Sequence, residues 1–220
     1  MPAATSPVRG ASAADTVEEL LSTAERLFAE LGVANVALTQ IVADSGQKNR
    51  SALHYHFGSR GGVLSAVMDR RLASINARRL VLLEGLPANA PAIDVVRANI
   101  AALAQTVVEE PWGPDYISIL AQIRFRPGLL DHNPLHDESL AGIRLARQRL
   151  AGAARGVPAE LLARRFTWTS DAVVFELARW TQATPPEART PAAVAALVED
   201  LAVFGTAGLL AAPPARNPDP

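Results

Sequence analysis

The chain has 220 residues, of which 49 % are hydrophobic, and a formal net charge of −1 at pH 7. This composition supports a large buried core and argues against a mainly disordered protein. The sequence contains no cysteine, which excludes disulfides, thiolate metal sites and a cysteine nucleophile. Its N-terminal segment lacks the apolar stretch of a signal peptide, and we find no uncharged apolar run of about 18 residues that predicts a membrane span. We therefore expect a cytoplasmic protein.

Apolar residues recur at helical spacing along most of the chain, and few runs alternate with the period of a strand. Pro and Gly residues separate the helical patterns. We predict an all-α fold of about nine helices between two disordered ends, residues 1–13 and 213–220. The predicted helices cover about 15–31, 38–44, 49–56, 60–84, 91–110, 114–126, 134–155, 158–183 and 190–211.

Two regions are predicted within this helical chain. Residues 14–60 form a helix-turn-helix head, whose first helix begins at Asp15 as N-cap with Glu18 in a capping box. Residues 61–212 form a linker helix and a larger helical body. Charge divides similarly, since residues 44–79 have seven basic and two acidic side chains, whereas residues 84–220 have 12 and 15. This asymmetry favours a protein that contacts phosphate with one part only, although solvated arginine faces are the simpler alternative.

The most informative segment runs from Thr39 to Arg60. Two short helical patterns meet at Ser45-Gly46, and polar side chains crowd the second one, as in a helix-turn-helix that enters the DNA major groove. Gln and Asn pair with adenine, and Lys and Arg pair with guanine. The predicted DNA-binding residues are Thr39, Gln40, Gln47, Lys48, Asn49, Arg50, Ser51, His54, Tyr55, His56 and Arg60.

These residues have different expected roles. Gln47–Ser51 open the third helix and face the bases, whereas Thr39 and Gln40 open the second helix and contact phosphate. His54, Tyr55 and His56 cannot all face the core, so some are expected to reach the DNA backbone. The alternative for Tyr55 and His56 is packing against the fourth helix, and for Arg60 it is a solvated position at a helix start.

The order of an Ile-centred short helix, Ser-Gly, a polar helix and H-Y-H-F-G-S-R resembles the DNA-binding domain of the tetracycline-repressor (TetR) family. The resemblance spans about 16–64. Its landmarks are Phe28, Gly32, Leu38, Ile41, Gly46, Leu53, His56, Phe57, Ser59, Arg60 and Leu64.

Three features depart from the family pattern. Ala37 stands where the family usually has a capping Ser or Thr. One extra residue lies between Gly46 and Phe57, which resembles a variant subgroup with G-Q-x-N-x-S-A. His54 stands where Tyr is commoner, so His54 and Tyr55 are alternatives for the phosphate contact.

Helix-turn-helix proteins usually pair so that two heads meet successive major grooves. The last two helices are apolar on more than one face, which predicts burial on both sides. The resemblance likewise implies a four-helix dimer interface built from these helices, and the alternative is that they are internal core. The predicted interface residues are Phe166, Val173, Leu177, Trp180, Val194, Leu197, Leu201 and Phe204.

The resemblance also implies a small-molecule pocket in the body. Aromatic and aliphatic walls suit a largely apolar effector, although plain core is the alternative for each residue. Arg97, Arg124 and Arg144 are candidates to pair with an acidic effector, with surface placement the simpler expectation. The predicted effector-binding residues are Leu103, Val107, Trp112, Tyr116, Ile119, Ile123, Phe125 and Trp168.

No catalytic or metal site is predicted. His132 and His136 have helical ligand spacing, but Pro134 between them favours a loop and a helix start. The sequence has no Gly-rich phosphate loop and no G-x-S-x-G motif, so we expect neither an enzyme nor a cofactor.

The sequence thus favours a homodimeric transcriptional regulator. The resemblance implies a repressor that binds a palindromic operator in double-stranded DNA and is released by a small effector. One alternative is an all-α enzyme or small-molecule carrier with a vestigial head. Another is a module that binds a different protein through its apolar final helices.

Overall fold

A computed structural model describes residues 13–46, 55–130 and 135–212 of the chain. These residues are all-helical, without a strand, which confirms the predicted fold class. Most of the predicted helix 49–56 and nearly all of the two predicted disordered ends lie outside these ranges. The described α-helices are α1 Ala13–Leu31, α2 Leu38–Asp44, α3 Arg60–Glu84, α4 Ala92–Ala104, α5 Thr106–Glu109, α6 Gly113–Phe125, α7 Ala141–Ala153, α8 Ala159–Ala183 and α9 Pro191–Leu210.

Three predicted helix boundaries were wrong. Helix α1 begins at Ala13, so Asp15 lies inside its first turn and is not the N-cap. The predicted helix 91–110 is divided at Gln105, where the Thr106 hydroxyl donates a hydrogen bond to the Leu103 carbonyl at 2.7 Å. Such a side-chain bond competes with the helical backbone ladder. The predicted helix 134–155 is α-helical only as α7, and a 3₁₀ turn precedes it at Asp137–Leu140.

Helix α3 connects the two parts of the molecule. Its 25 residues pack against α1 near its start and against α4 and α7 farther along. Buried side chains on α3 therefore join a single hydrophobic core that extends from α1 to α9. The largest fully buried side chains of this core are Leu20, Phe28, Ile41, Leu64, Met68, Ile75, Leu83, Tyr116, Ile117, Ile119 and Leu150.

Helix α9 is the most apolar element. Among the described helices it alone has the length and hydropathy to cross a membrane, with a mean hydropathy of 1.7. However, one of its faces packs on α4 and α8 and buries Val194, Val198 and Leu209. Length and composition of this kind also fit a core helix of a water-soluble protein, so they give weak evidence for a membrane span.

Candidate DNA-binding head and effector cavity

Helix α2 is held in the head by its apolar side. Ile41 and Val42 are buried, whereas Thr39 is exposed and Gln40 is half-buried. The Ser45 hydroxyl donates to the Val42 carbonyl at 2.9 Å and closes the helix. Gly46 follows with φ of 70°, a left-handed conformation that glycine adopts without strain. The chain therefore turns sharply at the place predicted for the helix-turn-helix.

The start of α2 lacks a side-chain cap. Ala37 occupies the N-cap position with extended backbone angles, and it has no side chain able to accept a hydrogen bond. The capping bond expected from a Ser or Thr at this position is therefore missing, as the sequence predicted.

Tyr55 and His56 end the predicted third helix and point outward. Tyr55 is 87 % exposed, and His56 is also exposed with its ring 5.3 Å from that of Tyr55. Packing of these two side chains against α3, the alternative from sequence, is not what the structure shows. Their contact with DNA remains a prediction. Six other predicted DNA-binding residues lie outside the described ranges: Gln47, Lys48, Asn49, Arg50, Ser51 and His54.

Arg60 has a structural contact that the sequence did not reveal. Its Nη1 donates to the Ala34 carbonyl at 2.8 Å, which ties the start of α3 to the turn after α1. Ser59 is the N-cap of α3 as predicted, since its hydroxyl accepts a hydrogen bond from the Gly62 amide at 3.1 Å. Together these bonds fix where α3 leaves the head.

The basic excess of residues 44–79 is largely neutralised within the chain. Arg70 pairs with Glu18, Arg71 with Glu25, and Arg78 with Glu109. Arg79 is buried in the body. The sequence-based interpretation of this segment as a positive surface is therefore wrong for these four arginines. Among the basic residues of this segment that the structure describes, Arg60 is the remaining one, and it bonds the Ala34 carbonyl.

Two polar contacts join the head to the body at α6. Gln122 accepts a hydrogen bond from the Val33 amide at 2.8 Å and donates to the Phe28 carbonyl at 3.1 Å. Nearby, Arg71 forms a two-pronged ion pair with Glu25, and its guanidinium lies 4.8 Å from the Trp112 ring centre. We call the first contact the Gln122 bridge.

A cavity of about 530 Å³ lies in the body among α3, α4, α6, α7 and α8. Its volume falls in the usual range for small-molecule sites, and its walls are mostly apolar. Helix α6 lines the cavity with Tyr116, Leu120 and Ile123, and it carries the Gln122 bridge on another side. The same helix therefore touches both the cavity and the head.

The structure places three of the eight predicted effector-binding residues at the cavity wall: Leu103, Tyr116 and Ile123. The prediction for the other five needs correction. Val107 and Ile119 are buried in core outside the lining, and Trp112, also outside it, packs edge-on against Tyr116 with 5.9 Å between ring centres. Phe125 is 73 % exposed at the end of α6, and Trp168 is 59 % exposed on α8. Aromatic composition did not show which helix face each side chain occupies.

Sequence reasoning missed the main polar group of the cavity. Arg79 is 5 % exposed and lines the cavity, and its Nη1 donates to Asn76 Oδ1 at 2.5 Å. Burial lowers the pKa of Arg79 to about 10, which still leaves it charged at neutral pH. Leu72 and Ile75 precede Arg79 by seven and four residues on the same face of α3. That spacing was the available signal, because it places the guanidinium among core residues.

The predicted dimer interface also needs correction. Four of its residues, Val173, Leu177, Val194 and Leu201, are buried in the core of their own chain. Phe166 lines the cavity, whereas Trp180 and Leu197 are half-buried against the core. Phe204 is 64 % exposed. Helices α8 and α9, which are apolar on more than one face, therefore bury some of these residues in the core of the chain and expose others.

The exposed sides of α8 and α9 lie next to each other. Arg165 Nη1 donates to the Leu209 carbonyl at 3.1 Å, and a Cβ on Gly205 would lie 2.8 Å from Thr169 Cγ2. These contacts show that the helices run antiparallel and place Trp168 and Phe204 at similar heights. We call this surface the outer face. The large exposed apolar residues on this side are Trp168, Phe175 and Phe204.

No family model matches the sequence, and no curated protein is detectably similar to it. Solved structures do match. The fatty acid degradation regulator FadR from Bacillus halodurans aligns with a TM-score of 0.60 at 11 % identity, covering 86 % of this chain and 94 % of FadR. A TetR-like transcriptional regulator from Rhodococcus sp. RHA1 gives 0.54 at 19 % identity, covering 90 % and 100 %. A Saccharomonospora viridis protein assigned as a transcriptional regulator, in complex with choline, gives 0.54 at 22 % identity, covering 87 % and 95 %. The chain has the fold of TetR-family transcriptional regulators.

Proposed function

We propose that this chain is a TetR-family transcriptional regulator, which binds DNA as a homodimer and responds to a small molecule in the body. The observation that carries the proposal is the turn at Gly46, with α2 before it and exposed Tyr55 and His56 after it, on a helical body that holds a cavity of about 530 Å³. Likeness of the fold to regulators supports the same conclusion.

In this proposal the DNA contacts come from the helix that follows Gly46. Lys48 and Arg50 supply charge, Gln47 and Asn49 supply amides for base edges, and Tyr55 and His56 contact the backbone. Thr39, Gln40 and Ser51 complete the surface. Since Arg70, Arg71 and Arg78 pair with acidic residues of the chain and Arg79 is buried, we expect few phosphate contacts per head.

The homodimer forms, in this proposal, through the outer face of α8 and α9. Trp168, Phe175 and Phe204 are large apolar side chains that one chain leaves exposed. Aromatic residues are enriched at interfaces, where burial of such groups supplies much of the binding energy. Pairing of the two heads then matches two half-sites of a palindromic operator.

Effector control is proposed to pass through α3 and α6. Both helices line the cavity and both contact the head, α3 through its start at Arg60 and α6 through the Gln122 bridge. A ligand that binds one arrangement of these helices better than another shifts the population of heads that fit the operator. A protein of similar fold was solved in complex with choline, which supports a response to a small molecule. We propose repression that the ligand relieves.

The experiment is a fluorescence-anisotropy titration of the full chain against DNA fragments that flank its own gene. We expect sequence-selective binding that weakens steeply with salt, because phosphate contacts release counterions. Replacing Lys48 and Arg50 with Ala should abolish tight binding while the helical circular dichroism spectrum is unchanged. Absence of any selective binding across genomic fragments would contradict the proposal. Unchanged affinity of the double variant would show that the recognition helix is assigned to the wrong residues.

A further inference from the structure

The cavity contains a charge that the chain does not balance. Arg79 lines the cavity wall, and its exposed fraction is 5 %. Among the described residues no ion pair includes Arg79. Buried arginines are normally paired with a carboxylate, because an unpaired charge in the interior is costly.

The hydrogen bonds around Arg79 are also incomplete. Nη1 donates to Asn76 Oδ1 at 2.5 Å, but Arg79 Nε and Asn76 Nδ2 are buried and have no partner in the part of the chain described. On the side of α7, Gly142 packs closely, and a Cβ there would lie 2.7 Å from Asn76 Oδ1 and 3.2 Å from Arg79 Cδ. The guanidinium is therefore held in place at the cavity wall between Asn76 and Gly142, without a carboxylate partner among the described residues.

The other charged groups of the lining do not supply the missing anion. Asp171 is the single carboxylate among the described lining residues, and it pairs with Arg124 at 3.2 Å. Arg147 lies 5.5 Å from the Phe166 ring centre. The described lining thus has three arginines and one aspartate, and Arg79 is the charged group among them that is buried.

We propose that the cavity binds a small amphipathic carboxylic acid in its anionic form, with the carboxylate paired to Arg79 and an apolar body against the surrounding helices. This proposal deepens the proposed function by naming the chemical class of the effector. It rests on the proposed function only in treating the bound molecule as an effector. A guanidinium and a carboxylate match in charge and in two-pronged hydrogen-bond geometry. The largely apolar effector expected from sequence is thereby revised to an apolar molecule with an acidic head.

Cavity volume limits the size of this acid. A water-sized group occupies about 30 Å³, so 530 Å³ holds roughly 15–20 non-hydrogen atoms. A medium-chain or compact cyclic monocarboxylate fits this limit. Arg147 is exposed, so Arg79 is the one buried guanidinium of the described lining, and its single charge argues for a single carboxylate. A cation such as choline is disfavoured, because it meets a lining of the same charge.

The test is isothermal titration calorimetry of the purified full chain with decanoate, its neutral counterpart decanol, naphthalene-2-carboxylate and choline. Decanoate should bind about tenfold or more tightly than decanol, since a hydrogen bond to a charged group contributes more than one to a neutral group. Choline should not bind. Equal affinity for decanoate and decanol, or failure of both acids to bind, would overturn the proposal without any variant being made.

Variants locate the contact. Arg79→Met should reduce decanoate affinity to that of decanol, whereas Arg79→Lys should retain a preference for the acid because it keeps the charge. Arg164→Met is the matched control, since Arg164 lies over exposed Trp168 away from the cavity. A merely structural Arg79 would instead lower binding of decanoate and decanol alike together with the melting temperature, and that result would overturn the proposal.

The measurement contains no DNA, so it separates the two claims. Acid binding that depends on Arg79, in a protein that selects no DNA sequence, would leave the cavity assignment standing and remove the proposed function. Selective DNA binding by a protein whose cavity binds neither acid would support the proposed function and overturn the cavity assignment.

Discussion

At the scale of single residues, the Glu25–Arg71 ion pair is the best-buried charge pair of the described chain. The exposed fraction is 5 % for the Glu25 side chain and 14 % for that of Arg71. Glu25→Ala leaves the Arg71 guanidinium without its carboxylate, and we expect the free energy of unfolding to fall by about 3 kcal/mol in a chemical denaturation experiment.

The matched control for this variant lies on the same helix. Glu30 pairs with Arg26 at 3.1 Å, and both side chains are about half exposed. Glu30→Ala should change the free energy of unfolding by less than about 1 kcal/mol, because exposed ion pairs contribute little. Equal losses for the two variants would show that burial does not set the strength of the Glu25–Arg71 pair.

The missing cap of α2 gives a prediction of the opposite sign. Ala37 has the extended backbone angles of an N-cap, φ −85° and ψ 147°, but no acceptor. Ala37→Ser supplies a hydroxyl and should raise the free energy of unfolding by about 0.5–2 kcal/mol. Thermal melts of the two proteins measure the change. The neighbouring exposed position provides the control, since Ala34→Ser lies outside an N-cap and should give no gain.

Residues whose role depends on neighbours in sequence were predicted well. Ser59 caps α3, Gly46 makes the turn and Ala37 leaves α2 uncapped, because each of these roles is set within four residues. Residues whose role depends on distant packing were not. Arg78 and Arg79 are adjacent on α3, and the sequence does not distinguish them. The packing of α4, α6 and α7 against α3 buries Arg79 and leaves Arg78 to pair with Glu109.

At the scale of helices, α6 is the element that connects the cavity to the head. Gln122 bonds with both the Val33 amide and the Phe28 carbonyl, one on each side of the end of α1. Gln122→Met keeps the side-chain length and removes both bonds. We expect the free energy of unfolding to fall by about 1–3 kcal/mol, since the buried amide is left unsatisfied.

Hydrogen exchange shows whether this bridge holds the head. In Gln122→Met the Val33 amide should exchange faster, while amides in α8 keep their protection. Gln148→Met, at an exposed position of α7, is the control and should change neither. Unaltered exchange at Val33 in the first variant would mean that the Gln122 bridge does not restrain the end of α1.

Helix positions were predictable to within a few residues, because Pro and Gly mark most of the boundaries. The division at Gln105 was not predictable, since Thr106 gives no signal in sequence that its hydroxyl will bond the Leu103 carbonyl. Which residues line the cavity was not predictable from the sequence either. Leu103, Tyr116 and Ile123 line the cavity, whereas Ile119, which has the same apolar character, is buried in the core outside the lining.

At the scale of the whole molecule, the outer face of α8 and α9 determines the proposed assembly. Light scattering after size-exclusion chromatography should give twice the chain mass of 23.3 kDa. Phe204→Lys places a charge in this face and should give a monomer at the same concentration, because an interface core excludes unpaired charge.

The control replaces an exposed apolar residue on another helix. Val81 is 70 % exposed on α3, and Val81→Lys should leave the mass at that of the dimer. A wild-type mass of one chain would contradict the proposed homodimer. A dimer that survives Phe204→Lys and dissociates with Val81→Lys would place the interface elsewhere.

The measurement that tests the central claim most directly is selection of DNA by the full chain from a random-sequence library. The account predicts enrichment of a two-fold symmetric site whose half-sites are separated to suit two heads of one dimer. Enrichment should disappear when Lys48 and Arg50 are both replaced with Ala. A folded wild-type protein that enriches no sequence, or one that enriches the same site without Lys48 and Arg50, would contradict the account.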